Sequence, residues 1–153
     1  MPTLLVVSHT QTGATTKLVD ALVAGAGDPA IDGVDVDRVE ALDATVDDVI
    51  SSDLVVLATP ENFGYMSGAL KVFLDRVYHP LLDQGVRRPY QLVVKAGNDG
   101  SGAVRAVERI VSGLDWPVAR PPVVVAGEVT DEHLAAITEL GMELAASLEM
   151  GLL

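Results

Sequence analysis

The chain has 153 residues, 49% hydrophobic but only 4% aromatic, which fits one domain over 1–153 with an aliphatic core. Ten basic residues against 22 acidic ones give a net charge of −12, and a polyanion binder needs phosphate-neutralising Lys and Arg, so no nucleic-acid partner is expected. Cysteine is absent, which excludes disulfides, thiolate metal sites and cysteine nucleophiles.

The chain opens on Met1-Pro2-Thr3, without a basic region and apolar run of the signal-peptide kind. No apolar stretch approaches the roughly 20 residues that span a bilayer. The expectation is a cytoplasmic protein with no membrane partner. The first predicted strand, Thr3–Val7, is a continuous apolar run, as strands buried on both faces are. It leads through Ser8–Thr15 into a predicted helix, Gly13–Ala26. The second strand, Val34–Val39, alternates Val34-Asp35-Val36-Asp37, so one face meets water. A short helix over Thr45–Ser51 precedes a third, wholly apolar strand, Asp53–Ala58. A loop, Thr59–Ser67, then enters a helix over Ser67–Asp83, with Leu70, Phe73, Leu74 and Val77 on one core-packing face. The fourth strand, Tyr90–Lys95, is again apolar. Its loop, Lys95–Gly102, ends at Ser101 as the expected helix cap before a helix over Gly102–Leu114. The fifth strand, Pro122–Ala126, opens on Pro121-Pro122, which suits an edge or strand start. A last helix covers Thr130–Met150.

Strands alternating with helices at this spacing predict an α/β domain with a parallel sheet covered on both faces. Edges at the second and fifth strands give the order 2-1-3-4-5. The competing order 3-2-1-4-5 puts the apolar third strand outward and the charged second strand inside. In the favoured order the connections leave strands 1 and 3 in opposite directions, opening a crevice at their carboxyl ends where ligands of such sheets bind.

Two unusual loops border that crevice. Ser8-His9-Thr10-Gln11-Thr12-Gly13-Ala14-Thr15-Thr16 carries more hydroxyls than the single one a helix cap requires. Hydroxyls, helix N–H groups and a turn at Gly13 can hold a phosphate without Lys or Arg; an ordinary Ser/Thr-rich cap is the alternative. In the second loop Phe63 and Tyr65 flank Gly64, in a chain with one Trp, three Tyr and two Phe. Apolar walls with a few backbone donors suit a flat ring; the alternative is that both aromatics fold back onto the core. Gly64 suggests a close backbone approach. There is no G-x-x-x-x-G-K-[ST], no G-x-G-x-x-G after the first strand and no G-x-S-x-G. The spacing of His9, His79 and His133 makes no metal motif.

Thr10-x-Thr12-Gly13-x-Thr15 resembles the phosphate loop of flavodoxins. Thr59-Pro60-x-x-Phe63-Gly64-x-Met66-x-Gly68-x-x-Lys71-x-Phe73-Leu74-Asp75-Arg76 resembles the second flavin loop of flavodoxin-like NAD(P)H:quinone oxidoreductases and NADPH-dependent FMN reductases. The resemblance covers nearly the whole chain and implies a flavodoxin-like three-layer sandwich with a five-stranded parallel sheet, holding flavin mononucleotide (FMN). By position, Ser8, Thr10, Gln11, Thr12, Gly13, Ala14 and Thr15 would meet the phosphate. Pro60, Glu61, Asn62, Phe63, Gly64, Tyr65 and Met66 would flank the ring, and Gly97, Asn98, Asp99 and Gly100 would border its pyrimidine side. Ala14 stands where flavodoxins carry asparagine. The chain is shorter than the quinone oxidoreductases and lacks their inserted segment.

Three functional readings follow. In the first, NAD(P)H reduces FMN, and a quinone or second flavin takes the electrons; the cofactor carries this chemistry, so no catalytic side chain is named. In the second, the chain is a flavodoxin-type electron carrier for a redox partner protein. In the third it is a flavin-free interaction protein of the same fold. The resemblance also implies a homodimer.

Overall fold

The computed structural model describes residues 1–153. The elements, in chain order, are β1 (Thr3–Ser8), α1 (Ala14–Ala26), β2 (Asp35–Glu40), α2 (Val46–Ile50), β3 (Leu54–Asn62), β4 (Tyr65–Met66), α3 (Gly68–Asp83), β5 (Tyr90–Ala96), α4 (Ser101–Gly113), β6 (Val123–Ala126) and α5 (Asp131–Glu149). The predicted helices lie within a residue of the observed ones at each end. The main sheet runs β2-β1-β3-β5-β6 with every pairing parallel, which is the expected order once the short β4 is set aside.

The apolar patterning explains that order. Leu4–Val7 and Leu54–Ala58 are buried on both faces and occupy interior strands, while β2 stays largely exposed at one edge. Successive side chains point to opposite faces and so feed two cores. Leu5, Val7, Val55, Leu57, Leu92 and Val94 pack under α3 and α4 with Phe73, Leu74 and Val107. Leu4, Val6, Leu54, Val56 and Val93 pack under α1 and α5 with Leu18, Leu22 and Leu144. The two helices of that second layer touch backbone to backbone. A Cβ at Gly25 would collide with the Thr138 carbonyl, and one at Gly141 with the Leu22 carbonyl.

One element departs from the predicted loop. β3 runs on to Asn62 because Thr59 and Pro60 still pair with Val94 and Lys95 of β5. The chain then reverses over Phe63-Gly64, and β4 returns antiparallel with Glu61 opposite Met66 and Asn62 opposite Tyr65. Phe63 (φ 52) and Gly64 (φ 72) both have positive φ, as a two-residue type I′ turn demands. Gly64 is therefore needed for its backbone angle; nothing lies near its missing Cβ. The close approach expected there occurs at Gly102 instead, where a Cβ would strike the Gly64 carbonyl.

Candidate functional site

The carboxyl ends of β1 and β3 are neighbours: Ser8 pairs with Ala58, and the His9 N–H donates to the Ala58 carbonyl at 3.2 Å. The loops after β1, β3 and β5 therefore emerge side by side.

The first loop ends in a helix start left open by its own chain. Gly13, at φ 93, is the N-cap of α1 and supplies no side chain, and no acidic residue lies in the first turn. Thr10 Oγ1 accepts from the Gly13 N–H at 3.0 Å, but the N–H groups of Ala14, Thr15 and Thr16 are unengaged within the chain. The other helices are closed. Thr45 and Thr130 form capping boxes on α2 and α5, and Ser67 Oγ accepts from Leu70 N–H on α3. On α4, Asp99 Oδ1 accepts from Ser101 N–H at 3.0 Å and Glu61 Oε2 from Ala103 N–H at 3.1 Å. The α4 cap is thus Gly100 aided by Asp99, not Ser101, which is already helical.

Ser8, His9, Thr10, Thr15 and Thr16 line a cleft of about 380 Å³ with Arg38 and Glu40, with no hydrophobic residue among them. Thr15 is only 2% exposed, so its place there is built into the fold. Arg38 binds Asp20 at 2.6 Å and His9 Nδ1 meets Glu40 at 2.6 Å, so the basic groups beside the loop face carboxylates. Sequence reasoning missed Arg38 and Glu40. The signal was the parallel register, which sets Arg38 beside Val6 and Glu40 beside Ser8.

The β3–β4 hairpin ties the three loops together. Asn62 Nδ2 donates to Gln11 Oε1 at 2.6 Å, joining it to the first loop, and Glu61 joins it to α4. Phe63 is fully exposed at its tip and Tyr65 is also exposed, so neither aromatic folds back onto the core. Met66 does, at 2% exposure, and Pro60 is half-buried. Ser67 N–H donates to Thr59 Oγ1 at 2.9 Å and closes the base of the hairpin.

In the loop after β5, Gly97, Asn98 and Asp99 are exposed and Gly100 is buried at φ 72. Hydrogen bonds from the Ser101 N–H, then from its hydroxyl, hold the Asp99 carboxyl below the usual carboxylate range; Arg105 adds to this. The residues expected from sequence to form one site thus lie on three adjacent loops. Thr12 and Gln11 are exposed on the outer curve of the first.

The family described as NADPH-dependent FMN reductase matches residues 4–131, most of the chain. The chain belongs to that family. Solved structures share its fold. A Streptococcus pneumoniae TIGR4 flavodoxin is 21% identical with a TM-score of 0.78, over 95% of this chain and 99% of the other. A flavodoxin WrbA-like protein from Agrobacterium tumefaciens is 14% identical with a TM-score of 0.76, over 99% of both chains. The rubredoxin oxygen:oxidoreductase of Desulfovibrio gigas is 13% identical with a TM-score of 0.80, over 98% of this chain but 37% of that longer one. No curated protein sequence matches.

Family and fold support an FMN-binding redox protein, and the residues present fit that group. For this FMN reductase family member, a phosphate dianion would find three free N–H groups, a positive helix end and a ring of hydroxyls. Ala14 opposes nothing to it: the position of the flavodoxin asparagine holds a small side chain at the first turn of α1.

Proposed function

We propose that this protein is an NAD(P)H-dependent FMN or quinone-type oxidoreductase, and that the loops after β1, β3 and β5 hold the FMN. One observation carries the reading: no side chain accepts from the first-turn N–H groups of α1, and that end opens beside a hairpin that exposes Phe63 and Tyr65. When bound, FMN supplies the chemistry, taking a hydride at its ring and passing electrons on.

The chain's part is binding and orientation. The N–H groups of Ala14 to Thr16, with the hydroxyls of Thr10, Thr12 and Thr15, would hold the phosphate. Each charge-assisted bond contributes roughly 1.5–3 kcal/mol, while a like charge about 10 Å away opposes it by roughly 0.4 kcal/mol in water. Local donors therefore outweigh the protein's overall negative charge. Phe63 and Tyr65 would supply apolar contact to the ring edge, and the Gly97–Gly100 backbone the polar contact on its other side. No side chain needs to act as acid or base in hydride transfer, so none is assigned as catalytic.

A second reading is an electron carrier without its own reductant. The charge of −12 favours it, because an acidic surface suits docking onto a basic redox partner. Anaerobic mixing of the FMN-loaded protein with NADPH and with NADH separates the two. Bleaching of the flavin absorbance within seconds is expected for the oxidoreductase. If neither nucleotide bleaches a flavin that dithionite does reduce, the carrier reading stands instead.

A further inference from the structure

The cleft beside the first loop holds one side chain that the flavin-binding reading leaves without a role. His9 is only 25% exposed, and its backbone is fixed from β3, whose Ala58 carbonyl accepts its N–H at 3.2 Å. Glu40 is fixed from the other side. It pairs with Ser8 in the parallel register, and the next N–H, of Ala41, donates to the Ser8 carbonyl at 2.8 Å. The two side chains meet at 2.6 Å through His9 Nδ1 and Glu40 Oε1, while Glu40 Oε2 accepts from the Leu42 N–H at 2.5 Å. Both carboxylate oxygens are thus engaged, and the group is oriented toward the ring.

This pairing decides what each ring nitrogen can do. A carboxylate only accepts, so Nδ1 carries a proton whatever the charge of the ring. The other nitrogen, Nε2, has no hydrogen-bond partner within the chain. In the neutral imidazole Nε2 is a bare acceptor, which an anion avoids; in the imidazolium it is a donor. His9 shares its cleft with Thr10, Thr15 and Thr16, which belong to the proposed phosphate seat.

The charged groups around the ring are otherwise matched or turned elsewhere. On β2, Arg38 binds Asp20 of α1 at 2.6 Å. The first turn of α1 has no acid, and Lys17 beyond it is exposed and outside the cleft lining. Asp43, in the turn after β2, is likewise exposed and outside it. On the hairpin, Glu61 accepts from the Ala103 N–H of α4. His9 is therefore the one residue lining the cleft whose side-chain type changes charge near neutral pH.

We infer that His9 is a phosphate contact whose donor is switched on by a proton: held by Glu40, the imidazolium donates from Nε2 to the FMN phosphate, and the neutral ring does not. The inference rests on the reading that these loops hold FMN and adds to it a proton-linked grip. The protonated pair carries no net charge, so it contributes one directed donor rather than a cationic field. Phosphate binding and protonation favour each other. The contact is fully present below the pH at which the ring titrates in the free protein, and is lost as pH rises through the titration of the FMN-bound form.

The test is fluorescence titration of FMN and of riboflavin into the full-length, flavin-free protein and its His9→Gln variant, between about pH 5.5 and 8.5. The phosphate of FMN gains its own second charge near about pH 6, but it does so for both proteins, so the wild-type-to-variant affinity ratio removes that effect. The ratio for FMN is expected to be about tenfold at the acid end and to fall toward one at the alkaline end, while the ratio for riboflavin stays flat. Glu40→Gln keeps an acceptor for Nδ1 but removes the charge that favours the imidazolium, so it should move the step to lower pH. Proton NMR reads the wild type directly. The His9 ring resonance, identified by its absence from His9→Gln, should titrate at higher pH with FMN bound than with riboflavin bound. The inference is overturned if the FMN ratio is the same at every pH, if riboflavin shows the same step, if Glu40→Gln leaves the step in place, or if the ring titrates alike with both flavins. A protein that binds both flavins with flat ratios keeps the FMN site and loses only the role of His9; one that binds neither flavin loses the parent reading and this inference with it.

Discussion

Phe63 concentrates the argument for a ligand in one side chain. A bulky residue at positive φ costs roughly 1–2 kcal/mol, and its ring gains nothing from burial because it is fully exposed. Strain of this kind is retained where something else uses it. Phe63→Asn, whose side chain tolerates the left-handed region, should raise the unfolding free energy by about 1 kcal/mol in urea denaturation without FMN. The same variant should bind FMN several-fold more weakly by fluorescence titration. Unchanged FMN affinity would remove the ring contact assigned to Phe63. The sequence marks Phe63 and Tyr65 as odd because aromatics are scarce, but it hides the hairpin. Phe-Gly is not among the Asn-Gly or Asp-Gly pairs that announce a type I′ turn, and a strand carrying Pro60 reads as ended. Gly102 was hidden for a similar reason: its need for no side chain is set by Gly64, thirty-eight positions away in the chain, through a contact that no local pattern encodes.

At the scale of elements, α1 has traded capping for an open end. Acids in the first turn stabilise a helix, and α2 and α5 have them in Asp47, Asp48, Asp131 and Glu132, whereas α3 and α4, like α1, have none and rely on side-chain acceptors. The first turn of α1 has none, and its start was legible in the sequence as a hydroxyl-rich loop; what was not legible was that the other four helices are closed. Ala14→Asp puts a carboxylate at that end. It should stabilise the FMN-free protein by roughly 0.3–1 kcal/mol, since the charge meets the positive end of the dipole. It should weaken FMN far more than riboflavin, which brings no phosphate to be repelled. Equal losses for both ligands would move the phosphate away from α1. On the opposite side, α1 and α5 meet through Gly25 and Gly141, residues that a helix would otherwise avoid. That packing holds α1, and hence its open end, at a fixed height over the sheet.

For the whole molecule, the sheet order followed from contrasts between strands: uninterrupted apolar runs at β1, β3 and β5 against the alternation of β2 and the prolines before β6. The electrostatics needed the fold. The charge of −12 is visible in the composition, but composition does not reveal that Arg38 and His9, beside the loop proposed to hold the phosphate, face Asp20 and Glu40. The proposed phosphate site at α1 therefore has a characteristic response to salt. A phosphate bound there would approach neutral donors through a repulsive background, and salt shortens the reach of that repulsion from about 30 Å at 0.01 M to about 10 Å at 0.1 M. FMN affinity should rise over that range, by a factor of about five if roughly 1 kcal/mol of repulsion is screened, while riboflavin affinity stays flat. Titrations of FMN and riboflavin at 0.01 and 0.1 M NaCl measure both slopes on one protein. An FMN affinity that falls with salt would mean that cations, rather than helix N–H groups and hydroxyls, hold the phosphate.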